Sequence, residues 1–320
     1  MEASAVSRTS PPPRPHLRLA GGGGGGALRV GIIGTGNIGT DLLLKVQRSP
    51  LLECELFAGR NSRSAGIRKA QELGVETSDR SIDAFVEDPG RFDLVFDATS
   101  AIDAKRHYEL LAPLGIPVID LTPAKLGKLC IPALNLSECV GEPNLCMVTC
   151  GGQAAVPLAH CVVRTQPQVE YVEIVSTSAS RSVGPATRIN IDEYLATTEA
   201  AVGGFCGVAK AKTILIVNPS DPPIKMQNTV FAKADEVDLP ALREAVEEMV
   251  VRIQRYVPGY RLVMAPLHEH GRIAMTVQIS GAGDYLPEYA GNLDIITCAA
   301  VAAAEENARV LLGDSAATGT

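Results

Sequence analysis

The sequence predicts an α/β fold: a Rossmann-type doubly wound parallel sheet, followed by a second α+β domain with a mixed or antiparallel sheet. Three observations predict it. Between Leu28 and Thr149, short apolar runs alternate with helical segments, and several of these runs end in polar residues. A glycine-rich hexapeptide, Gly34-Thr35-Gly36-Asn37-Ile38-Gly39, follows the first apolar run and opens a helix. Beyond Cys150 the runs lengthen and alternate, and crossovers become fewer. Alternating strands and helices mean a parallel sheet with helices on both faces, and longer alternating strands mean a sheet covered on one side.

Leu28 to Ile33 is a near-continuous apolar strand, and Thr40 to Val46 is helical. Glu55 to Ala58 is a second strand, and Ser64 to Leu73 is a helix with Gly74 as its stop. Leu94-Val95-Phe96 and Val118-Ile119 are short buried strands running into Asp97-Ala98-Thr99-Ser100 and Asp120-Leu121-Thr122. Met147 to Thr149 closes the series. Ligands of such sheets sit at the carboxyl ends of the strands, where these polar residues fall. Further on, Tyr171 to Ser178, Thr213 to Val217 and Arg272 to Ile279 read as strands. Asp238 caps an amphipathic helix over Pro240 to Tyr256, and an Ala-rich helix runs from Leu293 to Leu312. The implied domains are a disordered extension (1–26), a dinucleotide-binding domain (27–150) and a catalytic and dimerisation domain (151–290). A helix packing back on the first domain (291–313) and a disordered tail (314–320) complete the chain.

Composition narrows the function. A net charge of −7, no tryptophan and few aromatics give no support for nucleic-acid binding. No apolar run is long enough to span a bilayer. The eight cysteines are scattered through apolar runs without metal-ligand spacing, so they read as reduced thiols in an intracellular, cytoplasmic chain, and no metal is expected. Residues 1–26 hold Pro11-Pro12-Pro13 and a glycine run from Gly21 to Gly26, a composition that cannot fold. Arg8, Arg14 and Arg18 give that segment a weak likeness to an organelle transit peptide.

The candidate sites follow from this frame. In the fingerprint, Gly34 makes the tight turn, Gly36 admits the pyrophosphate and Gly39 allows helix–strand packing, with N–H groups from Thr35 to Ile38 facing the phosphates. The second strand ends at Arg60 rather than at a carboxylate, so NADP stays open beside NAD as the cofactor. Cys146-Met147-Val148-Thr149-Cys150-Gly151-Gly152-Gln153 presents a thiol at a helix start, where the helix end should lower its pKa and the glycines should let a substrate approach. A nucleotide fold delivering a cysteine suggests hydride transfer through a covalent thioester. A buried structural cysteine is the competing reading, and Cys146 reads as core. No histidine is placed as a base for Cys150: His160 lies too far along the helix, and His268-Glu269-His270 reads as a hairpin turn. Ser180 to Asn190 is a long polar loop of functional character. Asn292 is either a plain helix cap or a cofactor contact.

Together these residues resemble the acylating acetaldehyde dehydrogenases of aromatic meta-cleavage pathways. The matching motifs are the stretches from Gly34 to Leu42, Val148 to Ala154, Gly184 to Glu193, and Tyr285-Leu286-Pro287 through Gly291-Asn292-Leu293-Asp294. The likeness covers about residues 28–313. It implies conversion of acetaldehyde, NAD and coenzyme A to acetyl-CoA and NADH, in a homodimer within a larger assembly. It also implies a partner, a 4-hydroxy-2-oxovalerate aldolase, that passes the aldehyde through a tunnel. Cys150 would carry the acyl thioester. Thr35 to Ile38, Asn292 and the run Ser182, Val183, Gly184, Pro185, Ala186, Thr187, Arg188, Ile189 and Asn190 would contact the dinucleotide.

Three departures stand out. Several members carry an acid where this chain has Arg60. The family often shows Arg-Asp-Thr where this chain has Gln227-Asn228-Thr229, and the stretch from Tyr260 to Gly281 is shorter, in a region that shapes an aldolase interface. The alternatives are a semialdehyde-dehydrogenase-like enzyme that passes the acyl group to phosphate or water, and a non-catalytic NAD-binding redox regulator.

Overall fold

Leu28–Ile33 forms strand β1, buried along nearly its whole length because both of its faces are covered by helices. The structure, a computed structural model, describes residues 26–313; all but the last residue of the expected extension, and the expected tail, lie outside the described residues. After β1 come α1 (Asn37–Val46), β2 (Leu52–Ala58), α2 (Ala65–Glu72), β3 (Thr77–Ser78) and α3 (Asp83–Glu87). Then follow β4 (Leu94–Asp97), α4 (Ala101–Leu111), β5 (Val118–Asp120), β6 (Lys128–Leu129), α5 (Pro132–Asn135) and β7 (Asn144–Cys146). The second half holds α6 (Cys150–Thr165), β8 (Tyr171–Ala179), α7 (Pro185–Ile189), α8 (Ile191–Cys206), β9 (Lys210–Asn218) and β10 (Met226–Lys233). It ends with α9 (Leu239–Gln254), β11 (Tyr260–Glu269), β12 (Arg272–Ile279) and α10 (Gly291–Leu311).

The first sheet has the order β3-β2-β1-β4-β5-β7-β6, and every pairing is parallel. On one face Leu42, Leu43 and Val46 of α1 pack with Ile67 and Ala70 of α2 and with an alanine row of α10 (Ala299, Ala300, Ala303, Ala304, Ala308). Small side chains let α10 lie close to α1 and to the sheet. On the other face Phe85 of α3 and Leu111 of α4 close the second layer, with Phe92 4.8 Å from Phe85 between ring centres.

The second sheet has the order β11-β12-β10-β8-β9, antiparallel except for the parallel pair β8 and β9. Its inner face, carried by Val172, Ile174, Val230, Met275 and Val277, packs on α6 and α9. On the other face Ile214 and Ile216 of β9 are exposed. Helix α6 thus lies between the two domains, touching α8, α9 and α10.

Several expectations need correction. The strand series of the first domain closes at Cys146, not at Thr149, because Val148 takes a left-handed φ of 62° that no strand can include. The expected long loop from Ser180 to Asn190 is instead a 3-10 turn at Ser180–Ser182 and the short helix α7, which Pro185 opens. Asn292 is not a cap; it lies inside the first turn of α10, with Ala290 at the cap position. Strand β10 is not singled out by the sequence; β11 is implied only as the strand before the expected hairpin turn, and it runs on through His268 and Glu269, so that the turn itself is at His270-Gly271. Among the described residues, no helix is long and apolar enough to cross a membrane.

Candidate active site

The fingerprint glycines separate by what surrounds them. Gly34 has φ +113°, and a Cβ there would lie 2.5 Å from the Ala98 carbonyl oxygen. A Cβ on Gly39 would fall 1.8 Å from the Gly34 carbonyl oxygen, so α1 can sit this close to β1 only with glycine there. Gly36, the N-cap of α1, faces open space. This is the arrangement of a backbone cradle for a phosphate at a helix start.

Cys150 owes its position to a strained turn. Val148 holds its left-handed conformation, which costs of order 1–3 kcal/mol for such a residue and is sustained only by the packing around it. Thr149 then caps α6, its hydroxyl oxygen accepting the Gly152 N–H at 2.9 Å. The same hydroxyl lies 2.7 Å from that of Thr198, tying the start of α6 to α8. Gln153 donates to the carbonyls of Cys130 and Met147 at 2.7 and 2.8 Å and fixes the turn from below.

The thiol is half-buried. Its Sγ lies 3.7 Å from the Tyr194 hydroxyl, which in turn accepts the Gly151 N–H at 3.0 Å. Burial pushes the thiol above its ordinary value; Tyr194 and the Gly151 N–H pull it down without overcoming that effect. The expectation of a lowered thiol pKa at this helix end is therefore wrong for the protein without ligands, because desolvation of the thiolate outweighs the helix end. The expected purpose of the glycines is also corrected. A Cβ on Gly151 would lie 2.2 Å from the Tyr194 hydroxyl and 2.3 Å from Ser176 Oγ, and one on Gly152 would lie 2.6 Å from a Val148 methyl. Both positions are glycine for the protein's own packing.

A cavity opens over the thiol. Ile38 from α1, Thr99 and Thr122 from the strand ends, Ala186, Thr187 and Asn190 from α7 and its end, and Asn292 from α10 line it with Cys150 and Tyr194. Ile38, Ala186, Thr187, Asn190, Asn292 and Cys150 were expected at the site. Ser182 sits just behind, its carbonyl accepting Asn292 Nδ2 at 3.2 Å. Arg188 turns back onto the Val183 and Ser180 carbonyls at 3.1 and 3.0 Å, bracing this segment rather than the cavity. Gly34, Thr35, Gly36, Asn37, Gly39, Val183, Gly184, Pro185 and Ile189 are outside the cavity lining. Arg60 is also outside it, with 78 % of its side chain exposed, 3.6 Å from Asp103 at the start of α4. Asp103 is a carboxylate that the sequence did not single out. His160 is turned to the Phe205 carbonyl at 2.9 Å, and His270-Gly271 forms the β11–β12 turn with φ of 50° and 69°.

The ends of β4 and β5 hold a second buried group of polar residues, outside the cavity lining. Asp97 and Asp120 are neighbours in register at the ends of β4 and β5. Asp97 lies 2.7 Å from His107 Nδ1, and Asp120 Oδ1 accepts the Thr122 N–H at 2.7 Å. Asp120 Oδ2 is buried without a partner. Burial first, then the nearby Asp97 charge, push the Asp120 carboxyl far above the usual carboxylate range.

Asn292 Oδ1 is likewise buried and unpartnered while its amide nitrogen is engaged. A buried acceptor left open calls for a donor from outside the chain, and a carboxamide N–H of a nicotinamide has the required chemistry.

Comparisons with known proteins give the family. Residues 29–137 match a family model described as semialdehyde dehydrogenase, NAD binding domain. Residues 150–287 match one described as prokaryotic acetaldehyde dehydrogenase, dimerisation. Acetaldehyde dehydrogenase 2 of Salinispora arenicola is 58 % identical over 87 % of this chain and 95 % of its own. The chain belongs to the acetaldehyde dehydrogenase family. The acetaldehyde dehydrogenases of Spirochaeta aurantia and Pectobacterium atrosepticum are 56 % and 55 % identical over 88 % and 87 % of this chain, each across 95 % of its own length. Among solved structures, the aspartate semialdehyde dehydrogenase of Candida albicans with NADP matches with a TM-score of 0.61 over 90 % of this chain and 99 % of its own. At 13 % identity that likeness concerns the fold.

Proposed function

We propose that the protein is a CoA-acylating acetaldehyde dehydrogenase that works through a thioester on Cys150. The observation that carries this reading is the Cys150 thiol at the start of α6, facing a cavity that the fingerprint helix and Asn292 also line. Bound NAD supplies the hydride acceptor, held by the Gly34 to Gly39 cradle and by Asn292 Oδ1; NADP is the other candidate. The Cys150 thiolate attacks the aldehyde carbon, the new C–S bond placing negative charge on the carbonyl oxygen. Loss of hydride from that carbon restores the C=O bond and leaves an acyl thioester on Sγ. The thiolate of coenzyme A then adds to the same carbon, and Sγ departs, freeing acetyl-CoA. The apolar walls, Ile38, Leu121, Val148 and Ile296, suit a short alkyl chain and keep water from the thioester.

The assay is NADH formation from acetaldehyde with and without coenzyme A. Sustained turnover only with coenzyme A is expected; equal turnover without it would assign the acyl group to water, and a requirement for phosphate would assign it to phosphate. No turnover in any of these mixtures, with Cys150 not protected by cofactor from iodoacetamide, would leave a redox regulator.

Assembly belongs to the same reading. The open face of the second sheet, with Ile214 and Ile216 exposed, is the surface for a homodimer. The family likeness supports a role in the cytoplasm, in aromatic-compound breakdown beside a 4-hydroxy-2-oxovalerate aldolase. Such an interface would bury on the order of 1,000 Å² or more. Co-expression with the aldolase followed by size-exclusion chromatography tests it; a dehydrogenase that elutes alone and fully active removes the aldolase from the proposal.

A further inference from the structure

Three hydroxyl and amide groups, brought from three separate elements, stand behind Cys150. Tyr194 comes from α8, Ser176 from β8 and Asn228 from β10, and the last two are directly opposite each other in the antiparallel pair. All three are buried. The Tyr194 hydroxyl is 3.7 Å from Cys150 Sγ and accepts the Gly151 N–H at 3.0 Å. Ser176 Oγ donates to Asn228 Oδ1 at 2.6 Å. Ser176 and Tyr194 both crowd the space where a Gly151 Cβ would be.

We propose that Tyr194 is the positioning residue of the thiol, donating its phenolic proton to the Cys150 thiolate while the Gly151 N–H holds its oxygen and the Ser176–Asn228 pair orients it. This rests on Cys150 being the nucleophile. Proton accounting supports the direction of the bond. A phenol has one proton and two lone pairs, and the Gly151 N–H occupies one lone pair. The Ser176 hydroxyl reaches the phenol as well as Asn228 Oδ1, and as a donor toward the phenol oxygen it leaves the phenolic proton unclaimed. The Tyr194 proton is then free for the strongest acceptor in reach, which is a thiolate. Burial and the Cys150 charge raise the Tyr194 phenol well above its ordinary value, so the proton stays on oxygen as the sulfur ionises. The start of α6 therefore acts on the sulfur through a side chain as well as through its own N–H groups. Neither a carboxylate nor an imidazole enters this chain of contacts.

The test uses the full-length protein. Tyr194→Phe removes one oxygen and keeps the ring. The rate of iodoacetamide labelling at Cys150, followed by peptide mass spectrometry between pH 6 and 10 without cofactor, reports thiolate formation. The labelling curve of Tyr194→Phe should move to higher pH by about one unit, so that labelling at pH 7 falls roughly tenfold, while NAD affinity by calorimetry stays the same. Replacing Tyr194 with a ring-fluorinated tyrosine, nearly equal in size and a stronger donor, should move the curve the opposite way. Unmoved curves for a folded Tyr194→Phe, or for the fluorinated protein should the first fail to fold, overturn the proposal. The labelling curve needs no turnover, so a wild type inactive with acetaldehyde and coenzyme A would sink the proposed reaction without deciding the role of Tyr194.

Discussion

Lys45 Nζ, on the first helix, lies 2.9 Å from Asp294 Oδ1, on the last. The same ammonium contacts Asp41 at 2.7 Å and Asp284 at 3.3 Å, and Asp284 is in turn held by Arg48 at 2.6 Å. Thr297 donates to Asp41 at 2.6 Å, so the link between α1 and α10 is doubled. Burial alone would lower the Lys45 pKa, but Asp41, Cys298 and Asp294 outweigh it and raise it. Ion pair and alanine row together seat α10, and with it Asn292, against the nucleotide cradle.

Lys45→Met should therefore be costly. It leaves Asp41 and Asp294 buried without their cation, a loss of about 3–5 kcal/mol when one partner of a buried pair is removed. The sign with pH follows: unpaired buried carboxylates have raised pKa values, so the deficit should shrink as the pH falls toward about 4 and they take up protons. Urea unfolding of both proteins at pH 5 and pH 7.5 measures it. Equal midpoints at pH 7.5 would mean that apolar packing alone seats α10.

Cys150→Ser should lower turnover by roughly three orders of magnitude or more while leaving NAD affinity nearly intact, because the alcohol is a far weaker nucleophile under the same contacts. Cys146, fully buried in β7, should behave otherwise: Cys146→Ser swaps a buried thiol for a hydroxyl that must be desolvated, and costs stability more than chemistry. Steady-state kinetics and calorimetry on the two variants make the comparison. Near-normal turnover in Cys150→Ser would end the nucleophile assignment.

Cofactor preference turns on Arg60 and Asp103. Arg60 lacks the charge that would repel a 2′-phosphate, so kcat/KM for NAD over NADP should stay within about 100-fold, equivalent to about 3 kcal/mol. Asp103, 3.6 Å from the guanidinium, holds part of its charge. Asp103→Asn should free Arg60 and raise the use of NADP, whereas Arg60→Asp should shift preference toward NAD. Kinetics with both cofactors decide this; a wild-type ratio well above 100 would locate discrimination elsewhere.

The parts of this molecule that the sequence reveals are those set by local physics. An apolar run followed by Gly34 at positive φ and a helix start is a local pattern, and Gly39 meets the Gly34 carbonyl only five residues away. Cys150 before Gly151 and Gly152 is equally local. The extent of strand β11, implied only by the hairpin turn that follows it, is hidden because its register shifts at Met264 break the alternation that marks a strand. Tyr194, Ser176 and Asn228 were hidden because only the pairing of β8 with β10 and the docking of α8 on α6 bring them together. The departure at Asn228 from the family's acid was visible in the sequence, but its partner Ser176 was not. The lowered thiol pKa was misjudged because the helix end is a local feature whereas burial belongs to the whole fold.

Asp120 offers the sharpest pH test. Its carboxyl is raised by burial and by Asp97, so the folded protein keeps a proton that the unfolded chain gives up above about pH 3.9. The unfolded state then binds fewer protons than the folded state, and stability falls as the pH rises from about 4 toward the raised native value. Asp120→Asn mimics the protonated form: its carbonyl can still accept the Thr122 N–H, and its amide replaces the O–H. It carries no such linkage. The variant should match the wild type near pH 4 and gain on it with rising pH, by at most about 1.4 kcal/mol per unit. Urea unfolding from pH 4 to 8 shows the difference directly. Parallel curves for the two proteins would mean that Asp120 ionises in the fold as readily as in the unfolded chain, the cost of burial and the repulsion from Asp97 being offset.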